Sequence, residues 1–92
     1  MSLDTKRLLI QGRVQGVGYR YFFNETANSL GLTGWVRNRR DGSVEAVVQG
    51  DALAVEQIIA IAFRGPSMAR VDDIDVSQVS GEFSTFAVRD TE

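Results

Sequence analysis

The chain has 92 residues, of which 43% are hydrophobic and 24% charged, with a formal net charge of -2 and a pI of about 5.0. This length supports one domain with one core, and the slightly acidic balance argues against general nucleic-acid binding, which needs a basic surface. No apolar run approaches membrane-spanning length, and no basic segment followed by an apolar stretch opens the chain, so we expect a cytoplasmic protein.

The sequence contains neither cysteine nor histidine. Disulfides are therefore impossible, and so are zinc sites built on cysteine or histidine. Nucleophilic systems of the Ser-His-Asp or Cys-His type are excluded as well. If the protein is an enzyme, its chemistry must rely on positioning and electrostatics.

The first half of the chain predicts a strand, a helix and a second strand. Residues 5–14 read as a strand inside a sheet, because apolar side chains fall on both of its faces. Residues 19–31 follow a glycine-rich stretch and predict an amphipathic helix that Gly31 ends. Its apolar positions recur at helical spacing and are Phe22, Phe23, Thr26, Ala27 and Leu30. Residues 32–38 predict the next strand.

The second half predicts a turn at residues 39–42 and a third strand at 43–50. Val47 is an apolar residue on the otherwise polar face of that strand, so we expect this face to be only partly solvated. Asp51 is expected to cap a second helix that runs to about Phe63. The buried stripe of that helix consists of Val55, Ile58, Ile59 and Ala62.

Proline ends the second helix within residues 64–67, and residues 69–79 and 84–89 supply two more strands. The order is βαββαβ with a terminal strand. It indicates an α+β, ferredoxin-like sandwich in which two helices cover one face of an antiparallel sheet while the other face stays solvated.

The glycine-rich stretch GRVQGVGYR, Gly12–Arg20, lies between a strand and a helix start. Such a loop can gather backbone N–H groups into a concave anion site, and Arg20 could grip two oxygens of a phosphate. Glycine content alone favours a plain connector, with Arg20 as a surface charge. Nucleotide binding is disfavoured because the Gly-Lys-Ser/Thr ending is missing and the glycine spacing differs from the dinucleotide pattern. The candidate amide donors are Gln15, Gly16, Val17, Gly18 and Tyr19.

Asn38 ends the second predicted strand, where its amide could orient a water, although asparagine is also common before a turn. We interpret Trp35 and Phe22 as core residues. A basic cluster is interpreted as a solvated hairpin; it comprises Arg37, Arg39 and Arg40, and Arg20 could join it in space.

Two long motifs in this order resemble the acylphosphatase family. GRVQGVGYR matches the family's G-x-V-Q-G-V-x-[FY]-R loop, and GWVRNRRDGSVE matches its G-[FYW]-V-x-N-x-x-D-G-x-V-E pattern. The segment that begins with Gly65-Pro66 is also similar, so the resemblance covers nearly the whole chain. We expect residues 1–92 to form a single acylphosphatase-like domain rather than part of a larger maturation protein.

The resemblance implies hydrolysis of acyl phosphates to a carboxylate and inorganic phosphate, with Arg20 and Asn38 catalytic and the amides from Gln15 to Tyr19 binding phosphate. It also implies no metal and no cofactor, a monomer, and inorganic phosphate as product and inhibitor. Neither nucleic acid nor membrane is an expected partner. The alternatives are a non-catalytic anion-binding or regulatory module on the same fold, and an RNA-binding sheet face, although the strand motif of such RNA binders is missing.

Overall fold

A computed structural model describes residues 3–92 of the chain. The predicted single domain spans residues 1–92, so its first two residues lie outside the described part. The elements are β1 (Leu3–Arg13), α1 (Tyr19–Ser29), β2 (Thr33–Asn38), β3 (Val44–Asp51), α2 (Ala52–Arg64), β4 (Arg70–Gln78) and β5 (Phe86–Val88). This order confirms the predicted α+β, ferredoxin-like class. No helix among residues 3–92 is long and apolar enough to cross a membrane.

The five strands form one sheet in the order β4-β1-β3-β2-β5. The pairs β1–β3, β1–β4 and β2–β3 are antiparallel, as predicted, but β5 runs parallel to β2. The prediction of a purely antiparallel sheet is therefore wrong. The reason is that residues 79–85 carry the chain from one edge of the sheet to the other, so that β5 arrives in the direction of β2.

One face of the sheet packs against both helices. Leu8 and Ile10 of β1 face Ala46 and Val44 of β3 across the ladder, and all four side chains are fully buried. Helix α1 packs on β2 and β5, and α2 packs on β1, β3 and β4. The strand period of two therefore delivers a continuous apolar layer to the helices.

The ends of the two helices show which predicted caps form. Gly31 has φ +72°, its N–H donates to the Asn28 carbonyl at 3.1 Å, and the Leu32 N–H donates to Ala27 at 2.9 Å. This pair of bonds is a Schellman motif, so Gly31 ends α1 as predicted. Asp51 does precede α2, but its side chain makes no capping hydrogen bond. Asp51 therefore occupies the N-cap position, but the prediction that its carboxylate caps the helix is wrong.

The face of the sheet away from the helices, which we call the open face, is less solvated than predicted. Glu45 and Val47 are buried there, and so is Trp35. The guanidinium carbons of Arg37 and Arg89 each lie 4.7 Å from the centre of the Trp35 ring. Trp35 is thus buried under two arginines rather than in the core between sheet and helices.

The basic cluster is not a solvated hairpin. Arg37 and Arg39 both bind the carboxylate of Glu45, at 2.8 Å and 3.0 Å, and Arg7 binds it from the neighbouring strand. Arg40 is exposed. Glu45 draws two of the predicted cluster residues into a partly buried ion network on the open face.

Candidate active site

A cavity of about 220 Å³ lies where the β1–α1 connection meets the end of β2. It brings together two segments that the sequence singled out separately, the glycine-rich stretch and Asn38. Its lining residues are Val14, Gly16, Gly18, Tyr19, Arg20, Tyr21 and Asn38. The volume is below the ~300–1,000 Å³ typical of pockets for drug-sized ligands, so it suits a small group.

The residues from Gln15 to Tyr19, called the amide loop here, have main-chain N–H groups that find no protein acceptor within residues 3–92. Gly16 and Gly18 have φ +74° and +78°, the left-handed values that let successive amides converge. Within residues 3–92, the N–H groups of residues 15–18 donate to no acceptor. The first helical bond of α1 runs from Phe22 to the Gly18 carbonyl at 3.0 Å, so the Tyr19 amide also has no helical partner. The amide loop therefore offers unpaired donors to an anion.

The start of α1 adds positive potential to these amides. No acidic residue lies in its first turn, so the positive end of the helix dipole is not offset there. Arg20 is the second residue of α1. Among the described residues that line the cavity, it alone carries a charge. Its Nη1 donates to the Arg89 carbonyl at 3.2 Å. That bond uses one of five guanidinium N–H groups, which leaves donors for a bound anion.

Asn38 occupies the last position of β2, opposite Val44 of β3. Its main-chain carbonyl accepts a hydrogen bond from the Glu92 N–H at 3.1 Å. The side chain is half-buried, and its amide has no hydrogen-bond partner among residues 3–92. A carboxamide without a protein partner can both donate to and accept from a water molecule in the cavity.

The side chain of Gln15 has a role that sequence reasoning missed. Its Nε2 donates to the Arg39 carbonyl at 2.7 Å and to the Ser43 carbonyl at 2.8 Å. Both carbonyls belong to the turn between β2 and β3, directly after Asn38. The bonds therefore tie the amide loop to the segment that carries Asn38. The two acceptors lie 24 and 28 residues along the chain from Gln15, so no local pattern in the sequence predicts these bonds.

The side chain of Tyr19 anchors the other end of the amide loop. It is 1% exposed, and its hydroxyl donates to the Ala62 carbonyl of α2 at 2.6 Å. Burial raises the pKa of the Tyr19 phenol well above its ordinary value of 10.0. Val17 is half-buried against the same core. Of the predicted site residues, five line the cavity: Gly16, Gly18, Tyr19, Arg20 and Asn38. The side chains of Gln15 and Val17 instead contact the turn after β2 and the core.

The site has the chemistry of an anion cradle. Within residues 3–92, no group of three or more His, Cys, Asp or Glu side chains could hold a metal ion. The cavity instead offers backbone amides, one guanidinium and one neutral carboxamide. Such a set can bind the oxygens of a phosphoryl group and hold a water beside it.

The family model, the curated relatives and the solved structures all include matches to one family. Residues 6–88 match the Acylphosphatase family. A protein from Thiobacillus denitrificans named acylphosphatase is 51% identical over 87 residues, covering 95% of this chain and 98% of that protein. One from Rhodopseudomonas palustris is 59% identical over 75 residues, covering 82% and 76%. The crystal structure of acylphosphatase from Bacillus subtilis superposes with a TM-score of 0.90 at 34% identity, covering 96% of this chain and 99% of that one.

Proposed function

The chain belongs to the acylphosphatase family and hydrolyses acyl phosphates to a carboxylate and inorganic phosphate, and we propose that the amide loop and Arg20 hold the phosphoryl group while Asn38 orients the attacking water. The observation that carries this proposal is the shared cavity. One space of about 220 Å³ is lined by Arg20, by backbone amides and by the Asn38 carboxamide, and among residues 3–92 these amides and this carboxamide have no hydrogen-bond partner.

Phosphoryl transfer makes demands that these groups can meet. Negative charge is spread over three phosphoryl oxygens in a loose transition state, so catalysis consists mainly of positioning and electrostatic stabilisation. The amides of Gly16 and Gly18 and the start of α1 supply fixed positive dipoles. Arg20 adds a full charge with planar, bidentate donors.

The leaving group explains why a site without histidine suffices. Water oxygen forms a bond to phosphorus, while the bond between phosphorus and the acyl oxygen breaks and its electron pair leaves on the carboxylate. The conjugate acid of that carboxylate has a pKa of about 4, so it departs as an anion without a general acid. Asn38 holds the water in line. In this proposal a phosphoryl oxygen of the substrate takes up the water's proton, so no protein base is needed.

Three finer statements belong to the same proposal. Inorganic phosphate inhibits as well as being a product, because it would occupy the same amides and Arg20. The family resemblance favours a monomer in the cytoplasm, which gel filtration and cell fractionation test. Because Arg20 and the amide loop supply the positive potential, we expect EDTA to leave the rate of hydrolysis unchanged.

The test is hydrolysis of benzoyl phosphate by the wild type and by Arg20→Ala, Asn38→Ala and Arg64→Ala. Losing an electrostatic stabiliser of the transition state costs about 100- to 1,000-fold in kcat, and we expect at least that loss for Arg20→Ala together with weaker phosphate inhibition. Asn38→Ala should lower kcat sharply but leave phosphate inhibition near normal. Arg64, exposed at the end of α2, is the matched control and should change neither.

Near-normal turnover by Arg20→Ala would overturn the assignment of that residue. A large loss of phosphate affinity in Asn38→Ala would mean that Asn38 grips phosphate rather than water. Phosphate binding by a wild type that never turns over an acyl phosphate would favour the non-catalytic module instead.

A further inference from the structure

Tyr21 is a large side chain that the fold leaves outside the core. It is the third residue of α1, directly after Arg20, and it lines the same cavity. Tyr21 is 69% exposed, whereas Tyr19, two residues earlier, is 1% exposed and bonded to α2. Among residues 3–92 the Tyr21 ring pairs with no other aromatic ring. It thus contributes a flat apolar surface at the rim of the site rather than in the core.

The cavity opens to solvent beside Tyr21, since three of the residues that line it, Gly16, Gly18 and Tyr21, are exposed. With the phosphoryl group on the amide loop and Arg20, the acyl group lies between that group and the solvent-facing rim. Of the side chains that line the cavity, Val14 and Tyr19 are buried. Tyr21 is the apolar side chain that reaches out at that rim.

We propose that the exposed ring of Tyr21 contacts the acyl group of the substrate and makes the enzyme prefer acyl phosphates with aromatic acyl groups over acetyl phosphate. This inference rests on the proposed function, because it assumes that the phosphoryl group lies on the amide loop and Arg20. Two aromatic rings in offset or edge-to-face contact gain energy beyond the area that they bury, and an acetyl group offers only a methyl to the same ring.

The Tyr21 ring is neutral at neutral pH. The ordinary pKa of a tyrosine phenol, 10.0, already keeps it protonated there, and the hydrogen-bonding, negatively charged carboxylate of Glu25, at the i+4 position of α1, raises the pKa of the Tyr21 phenol further. The ring therefore presents a neutral face to the acyl group.

The experiment measures the ratio of kcat/KM for benzoyl phosphate to kcat/KM for acetyl phosphate. It compares the wild type with Tyr21→Ala, Tyr21→Phe and the control Phe63→Ala. Phe63 lies on α2 and is 50% exposed. An aromatic pair contributes a factor of about 2 to 10, so we expect Tyr21→Ala to lower the ratio by about that factor. Tyr21→Phe and Phe63→Ala should keep the wild-type ratio.

Binding of benzoylphosphonate and acetylphosphonate, measured by calorimetry, tests the same preference without turnover. If neither acyl phosphate is hydrolysed but Tyr21→Ala lowers the ratio of phosphonate affinities, the hydrolytic function fails and the assignment of Tyr21 survives. If hydrolysis is normal and Tyr21→Ala keeps the wild-type ratio, only the assignment of Tyr21 fails. A ratio that falls equally in Tyr21→Phe would assign the effect to the hydroxyl and overturn the ring contact.

Discussion

The side-chain amide of Gln15 donates a 2.8 Å hydrogen bond to the main-chain carbonyl of Ser43, which joins the amide loop to the turn between β2 and β3. Ser43 is itself fixed, because its N–H and hydroxyl both donate to Asp41, at 2.9 Å and 2.6 Å. Asn38 lies directly before this turn, so the position of the turn determines the position of Asn38. Gln15 thereby sets the distance between the groups proposed to hold phosphate and the group proposed to hold water.

Gln15→Met should remove both hydrogen bonds of this side chain while keeping its length. The two carbonyls also accept bonds from Gly42 and Arg39, so folding should persist, with a loss of roughly 1–3 kcal/mol in the free energy of unfolding. Because the amide loop can then shift relative to Asn38, kcat should fall by about 10-fold or more, in line with the sensitivity of rates to ~1 Å misplacement. Urea unfolding and benzoyl phosphate hydrolysis measure the two effects.

Gln57→Met is the matched control for that variant. Gln57 is exposed on α2, away from the cavity, so its replacement should change neither the unfolding midpoint nor kcat. A Gln15→Met enzyme that loses stability but keeps its wild-type kcat would reduce Gln15 to a purely structural residue.

Much of the site could be predicted because its residues lie within two short segments. Motif and position predict that Arg20, Asn38 and the amide loop belong to one candidate site, and period and turn residues predict the helices and strands. The partners of Gln15 could not be predicted, since they are main-chain carbonyls on a distant turn. The position of Trp35 was misjudged because an apolar residue in a strand can be buried on either face, and here arginines bury it on the open face.

Gly18→Ala should impair phosphate binding more than its effect on stability explains. A Cβ at Gly18 meets no atom within 4 Å, so the cost is the left-handed φ of +78°, about 1–2 kcal/mol for an L-residue. Relief of this strain would turn the amides away from the cavity. Gly31→Ala is a close control, since Gly31 has φ +72° and equally open space but lies at the far end of α1. Both variants should lose similar stability by urea unfolding, and Gly18→Ala alone should raise the inhibition constant for phosphate. Equal inhibition constants would argue against phosphate binding by these amides.

Tyr19→Phe should cost roughly 1–3 kcal/mol of stability at neutral pH, because it leaves the buried Ala62 carbonyl without the donor at 2.6 Å. Burial raises the pKa of the Tyr19 phenol, so above pH 10.0 the unfolded chain loses this proton while the folded chain keeps it. The stability that Tyr19 contributes is thus complete below pH 10.0 and declines as the pH rises, by about 1 kcal/mol between pH 10 and 11. Urea unfolding at pH 8 and pH 11 should show the gap between wild type and Tyr19→Phe closing. A gap that is constant across this range would mean that the phenol titrates alike in both states.

Glu45→Gln should destabilise the protein at neutral pH and less so at acid pH. Glu45 is 5% exposed, and burial alone would raise the pKa of its carboxyl, but hydrogen bonds from Arg7, Arg37 and Arg39 hold that pKa below its ordinary value of 4.5. The unfolded chain therefore takes up the proton first as the pH falls. The stability that Glu45 contributes is complete above pH 4.5 and is lost as the pH drops through the folded pKa.

Hydrogen bonds to charged groups contribute about 1.5–3 kcal/mol each, and because the arginines are partly solvated we expect Glu45→Gln to lose about that amount in total at pH 7. The difference in the free energy of unfolding between wild type and variant should shrink at pH 3. Glu56→Gln, at an exposed carboxylate on α2, is the control and should track the wild type at both pH values. If the Glu45→Gln difference were the same at pH 3 and pH 7, the three arginines would not be holding the carboxylate in its charged form.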